Sequence, residues 1–317
     1  MADNNLMTVS ASPHVRAHRT TTGIMLDVVL ALSPSLVAAL SFFGIRALWV
    51  VLVCVGTAVL SEFITRKILK RSTTIGDLSA VVTGLLLAFN LPVTIPLWMA
   101  AIGSVAAIVV VKQLFGGIGQ NFANPAVVGR IILLVSFPSA MSNFTNTRMA
   151  DVDAVTTATP LQALASGGEM PTLFEMFIGQ RAGALGETCI VALIIGAVYL
   201  FLRGVIKPTI PFVFVGTVAL IMLVYSRGDY EFVLYHIMSG GLVLGAVFMA
   251  TDYTTSPLTT KGKIIFAIGC GVITCVIRLW GSLPEGVSYS ILIMNILTPL
   301  IDKITANKPF GTVKEME

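Results

Sequence analysis

The chain has 317 residues, 56% of them hydrophobic and only 11% charged, with a mean hydropathy of +0.90. Soluble domains carry about a quarter charged residues, so this composition excludes an ordinary soluble domain and indicates an integral membrane protein. The net charge of +4 does not point to nucleic acid, because the basic residues fall in short stretches between apolar segments.

In chain order, residues 1–23 form a polar tail without the apolar core of a signal peptide, and no cleaved signal is expected. Ten apolar runs follow, at roughly 24–44, 47–65, 78–91, 96–114, 124–140, 186–203, 209–226, 232–251, 262–280 and 286–302. A crossing helix needs ~20 such residues. The third run is short and ends at Asn90-Leu91-Pro92, the fifth opens on Asn124-Pro125, and the tenth holds Asn295 and Pro299. Interrupted helices of this kind persist only against protein or a polar cavity, since bare backbone is costly in lipid.

Orientation follows from lysine and arginine. With the N-terminus in the cytoplasm, fourteen fall on the inner side, Arg66 and Lys112 among them, and five on the outer side, Arg181 and Arg278 among them. This bias predicts an even number of crossings, both termini cytoplasmic, and residence in the cytoplasmic (inner) membrane. Two features also recur between the halves. "TGLLLAFNLPVTIP" from Thr83 echoes "SGGLVLGAVFMATDYTTSP" from Ser239, and "NFANPAVVG" from Asn121 echoes "IMNILTPLID" from Ile293. The expected fold is all-α and polytopic, with ten transmembrane helices in two inverted five-helix repeats containing broken or short helices. Its parts are a cytoplasmic tail (1–23), a first repeat (24–140), an extracytoplasmic loop (141–185), a second repeat (186–303) and a cytoplasmic tail (304–317). Inverted repeats usually hold the working site between the halves, near the broken helices.

The loop contains "DAVTTATPLQALASGG" from Asp153, a run of hydroxyls in a small-residue setting that reads as flexible and exposed. Together with "GLLLAFNLP" from Gly84, "GGIGQNFANPAVVGR" from Gly116, "GALGET" from Gly183 and "IRLWGSLPEGVSYSILIMNILTPLID" from Ile277, it carries a resemblance. From about residue 20 to 311 the sequence resembles the D subunit of the Rnf complex (RnfD), the membrane-bound ferredoxin–NAD oxidoreductase. More distantly it is similar to the B subunit of the sodium-pumping NADH:quinone oxidoreductase. The resemblance implies FMN attached covalently, through a phosphoester bond, to the last threonine of an Asp-x-x-Ser/Thr-Gly/Ser/Thr-Ala-Thr motif. Here the motif is Asp153, Thr156, Thr157, Ala158 and Thr159, so Thr159 would carry the flavin; Thr157 stands where glycine is common. It further implies electron relay coupled to Na+ or H+ export, a second non-covalent flavin such as riboflavin, and membrane lipid around the subunit. The implied protein partners are other Rnf subunits, one bearing FMN and others iron–sulfur clusters, and a flavin transferase for maturation. The alternatives are a subunit of the quinone-reducing type and a flavin-free inverted-repeat transporter or channel.

Other polar residues carry weaker signals. Arg130 lies about one turn into the fifth run, where a charge is a functional candidate; contact with a flavin phosphate, a structural pair with a carboxylate and a reach to lipid headgroups are all open. "GGIGQN" lacks a preceding strand and a closing Lys-Ser/Thr, so nucleotide binding is rejected. Asn121 and Asn124 offer amides that either satisfy the broken backbone or touch a second flavin or an ion. Asp252 sits at a helix C-terminus, where the dipole disfavours a carboxylate; it is the candidate for an ion pathway, with a structural pair as the alternative. Glu187 at the start of the sixth run is placed to suit a helix N-terminus, and His236 reads as a satisfied interior histidine. Cys54, Cys189, Cys270 and Cys275 read as small buried hydrophobes with no metal-binding spacing.

Overall fold

The computed structural model describes residues 19–72, 74–145, 159–168, 170–281 and 286–306, and every regular element among them is a helix. α1 (Thr21–Phe43) starts where the Thr20 side chain accepts the Gly23 amide at 3.1 Å, and α2 (Ile45–Ile68) follows across Gly44 alone. Both bury small residues, such as Ala31, Ala39, Ala47 and Ala58, and expose large ones, such as Leu30, Val37, Trp49 and Leu60. Helices in lipid pack this way, because close backbone approach, and not removal of apolar area from water, drives their association.

α3 (Ser79–Phe89) has 11 residues, about 17 Å at 1.5 Å per residue. The Asp77 carboxylate starts it by accepting the Ser79 amide at 2.9 Å and the Ser79 hydroxyl at 2.5 Å. Pro92 prevents its continuation. A Cβ on Gly84 would lie 2.7 Å from Val55 Cα, so only glycine lets α3 rest on the α2 backbone. α4 (Leu97–Ala106) runs on into a π-helical segment, Ala107–Gln113. α5 (Pro125–Ser136) is capped by Asn124 and carries Pro125 at its first position.

Three short helices lie on the connection: α6 (Pro138–Met141), α7 (Pro160–Ser166) and α8 (Leu173–Ile178). The expected loop at 141–185 is therefore partly helical. Thr159 with Gln162 and Thr172 with Glu175 form capping boxes that start α7 and α8.

The second set comprises α9 (Ile190–Leu202), α10 (Thr209–Tyr225), α11 (Tyr230–Met238), α12 (Leu242–Leu244), α13 (Thr260–Trp280) and α14 (Val287–Thr305). α12 continues as a π-helical segment, Gly245–Met249. The α11 axis meets that of Leu242–Met249 at 63°. Gly240 and Gly241 form the corner at φ 66° and 65°, a region open to glycine.

Helices stand in all ten predicted segments. α1, α2, α13 and α14 are long and apolar enough to cross a membrane, a fifth span arises if the bent α11–α12 pair counts as one, and α3, α4, α5, α9 and α10 are shorter apolar helices. α2 packs on α3 and α4, as α10 packs on α12 and α13, and α1 joins the sets by packing on α9. A second parallel links them. Lys112, at the far end of α4, donates to Ser79 Oγ at the head of α3 at 2.6 Å. Arg278, near the end of α13, donates to the Ser239 carbonyl just before α12 at 2.9 Å.

Candidate functional site

Thr159 is the N-cap of α7. Its Oγ1 accepts the Gln162 amide at 3.3 Å, and its own amide donates to Gln162 Oε1 at 3.0 Å. The threonine is 4% exposed, which corrects the expectation of an open, flexible acceptor. The capping box makes α7 a defined turn of helix, and Leu161 and Ala163 are buried with it. Leu161 touches the α11–α12 corner: a Cβ on Gly240 would meet Leu161 Cδ2 at 3.1 Å. Asp153 and Thr156 lie outside the described residues.

Charged side chains lie at that corner. The bend leaves helix carbonyls without intrahelical partners. Arg278 supplies donors to the carbonyls of His236 at 2.5 Å, Ser239 at 2.9 Å and Gly240 at 3.5 Å. Arg181, 3% exposed, donates to the Glu187 carbonyl at 2.5 Å. The Glu187 carboxylate accepts the Ala184 amide at 3.1 Å and faces Gly241, where a Cβ would lie 2.9 Å from Oε2. Glu187 therefore does not head α9, whose cap is Cys189. It is instead the carboxylate that acts electrostatically on Arg130, Arg181 and Arg278 together. Desolvation pushes the Arg181 guanidinium down to about 10, and Glu187 opposes that shift. Arg130, 4% exposed, donates to Asn90 Oδ1 at 3.2 Å and Ser288 Oγ at 2.8 Å, so it ties α5 to α3 and α14 and does not reach headgroups. His236 is interior, but its Nδ1 has no partner among the described residues.

The other end of the bundle, where α1 begins, holds a cavity of 380 Å³. Its walls include Val28, Leu86, Val247 and Phe248, and its polar lining includes Lys112, Asn121, Asn124 and Asp252. The structure thus gathers three sequence candidates on one cavity, away from the Thr159 end. Asn124 Oδ1 accepts the Ala126 amide at 3.0 Å while Nδ2 donates to the Met249 carbonyl at 3.1 Å. Asn121 Nδ2 donates to the Ala123 carbonyl at 3.1 Å and to Thr254 Oγ1 at 3.0 Å. Both amides satisfy backbone at breaks in the helices. Asp252 accepts the hydroxyls of Thr254 at 3.0 Å and Thr255 at 3.2 Å. Desolvation raises its carboxyl above the usual carboxylate range, and those hydrogen bonds, with one from Asn121, oppose the rise.

Lys112 is the polar residue that sequence reasoning misplaces. It is not a loop cation: it is 3% exposed in the π-helical end of α4, with Nζ 2.8 Å from Glu62 Oε2. Glu62, fully buried on α2, also accepts the Thr74 hydroxyl at 2.8 Å and has Arg66 Nε at 3.7 Å. The signal was present, since Glu62 and Lys112 both fall inside apolar runs, where an ionisable residue needs a partner. Arg66, Arg181 and Arg278, which the sequence assigns to the two membrane faces, also turn inward: Arg66 and Arg181 are buried and Arg278 lies on backbone carbonyls. Cys54, Cys270 and Cys275 are buried and Cys189 is partly so; all four are free. Among the described residues no three His, Cys, Asp or Glu side chains gather as a metal site.

The sequence profile of the NQR2, RnfD, RnfE family matches residues 8–311. The D subunit of an Acetobacterium woodii complex named "Na(+)-translocating ferredoxin:NAD(+) oxidoreductase complex" is 48% identical, covering 97% of this chain and 96% of its own. The D subunit of a Clostridium ljungdahlii complex named "Proton-translocating ferredoxin:NAD(+) oxidoreductase complex" is 46% identical, covering 97% of each chain. The D subunit of an Escherichia coli "Ion-translocating oxidoreductase complex" is 33% identical, covering 96% of this chain and 98% of its own.

Proposed function

The chain belongs to the NQR2, RnfD, RnfE family, and from that premise we propose that it is the D-type membrane subunit of an Rnf-type complex. That complex would pass electrons between ferredoxin and NAD and couple the transfer to Na+ or H+ export. The supporting observation is similarity over nearly the whole length to relatives named for that complex, at 48% and 46% identity. Those two names specify different ions, so likeness alone does not choose between sodium and proton. Its partners are the other subunits, including FMN-bearing and iron–sulfur ones, and a flavin transferase.

Thr159 carries FMN through a phosphoester in this reading, and its surroundings suit the link. An esterified Oγ keeps a lone pair for the Gln162 amide, so the capping box and the bond are compatible. The proton that esterification removes has no hydrogen-bond acceptor among the described residues. A flavin held there supplies one-electron chemistry; the protein supplies its placement and the charge around it.

The 380 Å³ cavity suits a second, non-covalent flavin such as riboflavin. Its size falls in the range of ligand pockets, roughly 300–1,000 Å³. The apolar walls fit a flat ring, and Lys112, Asn121 and Asp252 are disposed toward its polar edge. Asp252 is also the residue assigned to the ion pathway, because it is an incompletely solvated carboxylate at the cytoplasmic end.

The membrane arrangement proposed with this function has ten crossings in two oppositely oriented halves, both termini in the cytoplasm and Thr159 outside. The like placement of Lys112 and Arg278 supports it. So does the lysine and arginine excess, which persists when the buried cations are left out.

The test is intact-mass analysis and in-gel flavin fluorescence of the protein from cells expressing the transferase. The expected result is one FMN adduct mapped to Thr159, absent from Thr159→Ala. An unmodified peptide covering 150–170 in protein from its native host overturns the redox reading and favours a flavin-free transporter.

A further inference from the structure

The charged group behind the α11–α12 corner has a feature that its structural tasks do not use up. Arg278 spends Nη1 and Nη2 on three backbone carbonyls, and its buried Nε has no partner among the described residues. Arg181 spends Nη2 on one carbonyl, and its buried Nε is also without a partner among the described residues. Among the described residues no carboxylate touches the Arg278 guanidinium; Glu187 acts on it only at longer range. A buried cation such as Arg181, or a half-buried one with an enclosed Nε such as Arg278, is costly without a contacting anion, which makes an anion from outside this set of side chains the natural complement.

Gly240 links the Arg278 guanidinium to the helix that Thr159 caps. A Cβ there would meet Arg278 Nη2 at 2.9 Å on one side and Leu161 Cδ2 at 3.1 Å on the other. Leu161 is two residues beyond Thr159, in the helix that Thr159 caps. The first helix set gives an independent parallel. Its cation on the corresponding helix, Lys112, also reaches the head of a short helix, and it lines the cavity.

We propose that the half-buried Arg278 and the buried Arg181 form an anion site that holds the phosphodiester through which the flavin is joined to Thr159. The inference rests on the covalent flavin proposed above and assigns the residues that fix its linkage. A phosphodiester carries one negative charge on two free oxygens, which match guanidinium donors in geometry and charge. Lysine at position 278 would keep the charge but lose the planar fork that serves several carbonyls together.

The experiment is phosphorus-31 NMR of flavinylated protein, delipidated in a phosphorus-free detergent. The Thr159→Ala spectrum identifies the linkage resonance by its absence. In the native protein that resonance is expected to be displaced from its position after denaturation in SDS. Arg278→Gln and Arg181→Gln should each move it toward the denatured position, with Arg278→Lys nearer to the native one, the spectra being compared at flavin content matched by in-gel fluorescence. No linkage resonance and no fluorescence in the native protein would remove the covalent flavin itself. A resonance present but unmoved by either glutamine variant overturns the anion site and leaves the flavin standing. If both variants aggregate, a native resonance coinciding with the denatured one likewise overturns the anion site.

Discussion

Replacing Glu62 by Gln is expected to destabilise the protein more than any other single change at the Lys112 cluster. Glu62 is fully buried and receives Lys112 Nζ at 2.8 Å and Thr74 Oγ1 at 2.8 Å, with Arg66 Nε at 3.7 Å. An amide of the same shape keeps the Thr74 bond but leaves two buried cations without their carboxylate. Removing one partner of a buried pair costs about 3–5 kcal/mol. Lys112→Met should cost less, about 1–3 kcal/mol, the desolvation penalty of unsatisfied buried groups, because Glu62 retains Arg66 and Thr74. In the double variant the orphaned ammonium is gone, so the loss should fall below the sum of the singles by at least about 1 kcal/mol, as expected for groups in contact. The assay is denaturation in mixed dodecyl maltoside–SDS micelles, followed with a thiol-reactive fluorophore. The buried thiols of Cys54, Cys270 and Cys275 report unfolding directly. Strict additivity, or a Glu62→Gln variant less affected than Lys112→Met, would refute the assignment of Glu62 as the shared counter-ion.

Further outcomes follow from packing and charge. Gly84→Ala and Gly196→Ala should each lower stability by about 1–3 kcal/mol, the usual cost of overpacking, because their new methyl groups would press on Val55 Cα and on the Ala31 carbonyl; Gly216→Ala, with nothing within 4 Å, should not, and the same denaturation assay compares them. Asp252→Asn should flatten the acid end of the stability profile. The folded carboxyl is raised above its unfolded value, so native Asp252 binds a proton first as pH falls, and its contribution to stability increases through that window and is lost as pH rises; an unchanged profile would contradict this. Under the covalent flavin proposed above, Leu161→Ala should speed flavinylation of purified, unmodified protein by a flavin transferase, since Leu161 helps keep α7 and Thr159 buried. Equal rates, measured by in-gel fluorescence, would mean that α7 opens without resistance.

Much of the helical plan was legible in the chain itself. Apolar runs, Pro92 and Pro125 mark helices and their ends through local sterics and hydration, which depend on neighbours in sequence; the tenth run, expected to be interrupted at Asn295 and Pro299, is instead the continuous α14, and the bend at Gly240–Gly241 divides a run that reads as unbroken. Capping at Thr159 was equally local, because Thr159 and Gln162 stand three apart as a capping box requires, yet the small residues around them suggested a loose loop. Asn121, Asn124 and Asp252 could be singled out by type, but nothing in their spacing said that they share one cavity.

What the sequence determined by itself was a membrane protein of many apolar helices, some interrupted, with one hydroxyl-rich motif of family character. Only the tertiary structure decided which charges face inward. Lys112 meets Glu62 from 50 residues away, and Arg278 reaches back to His236 across 42. A charge next to apolar neighbours reads alike whether it ends in water or on a buried partner. The difference is the desolvation cost, and that is fixed only when distant helices close around the side chain.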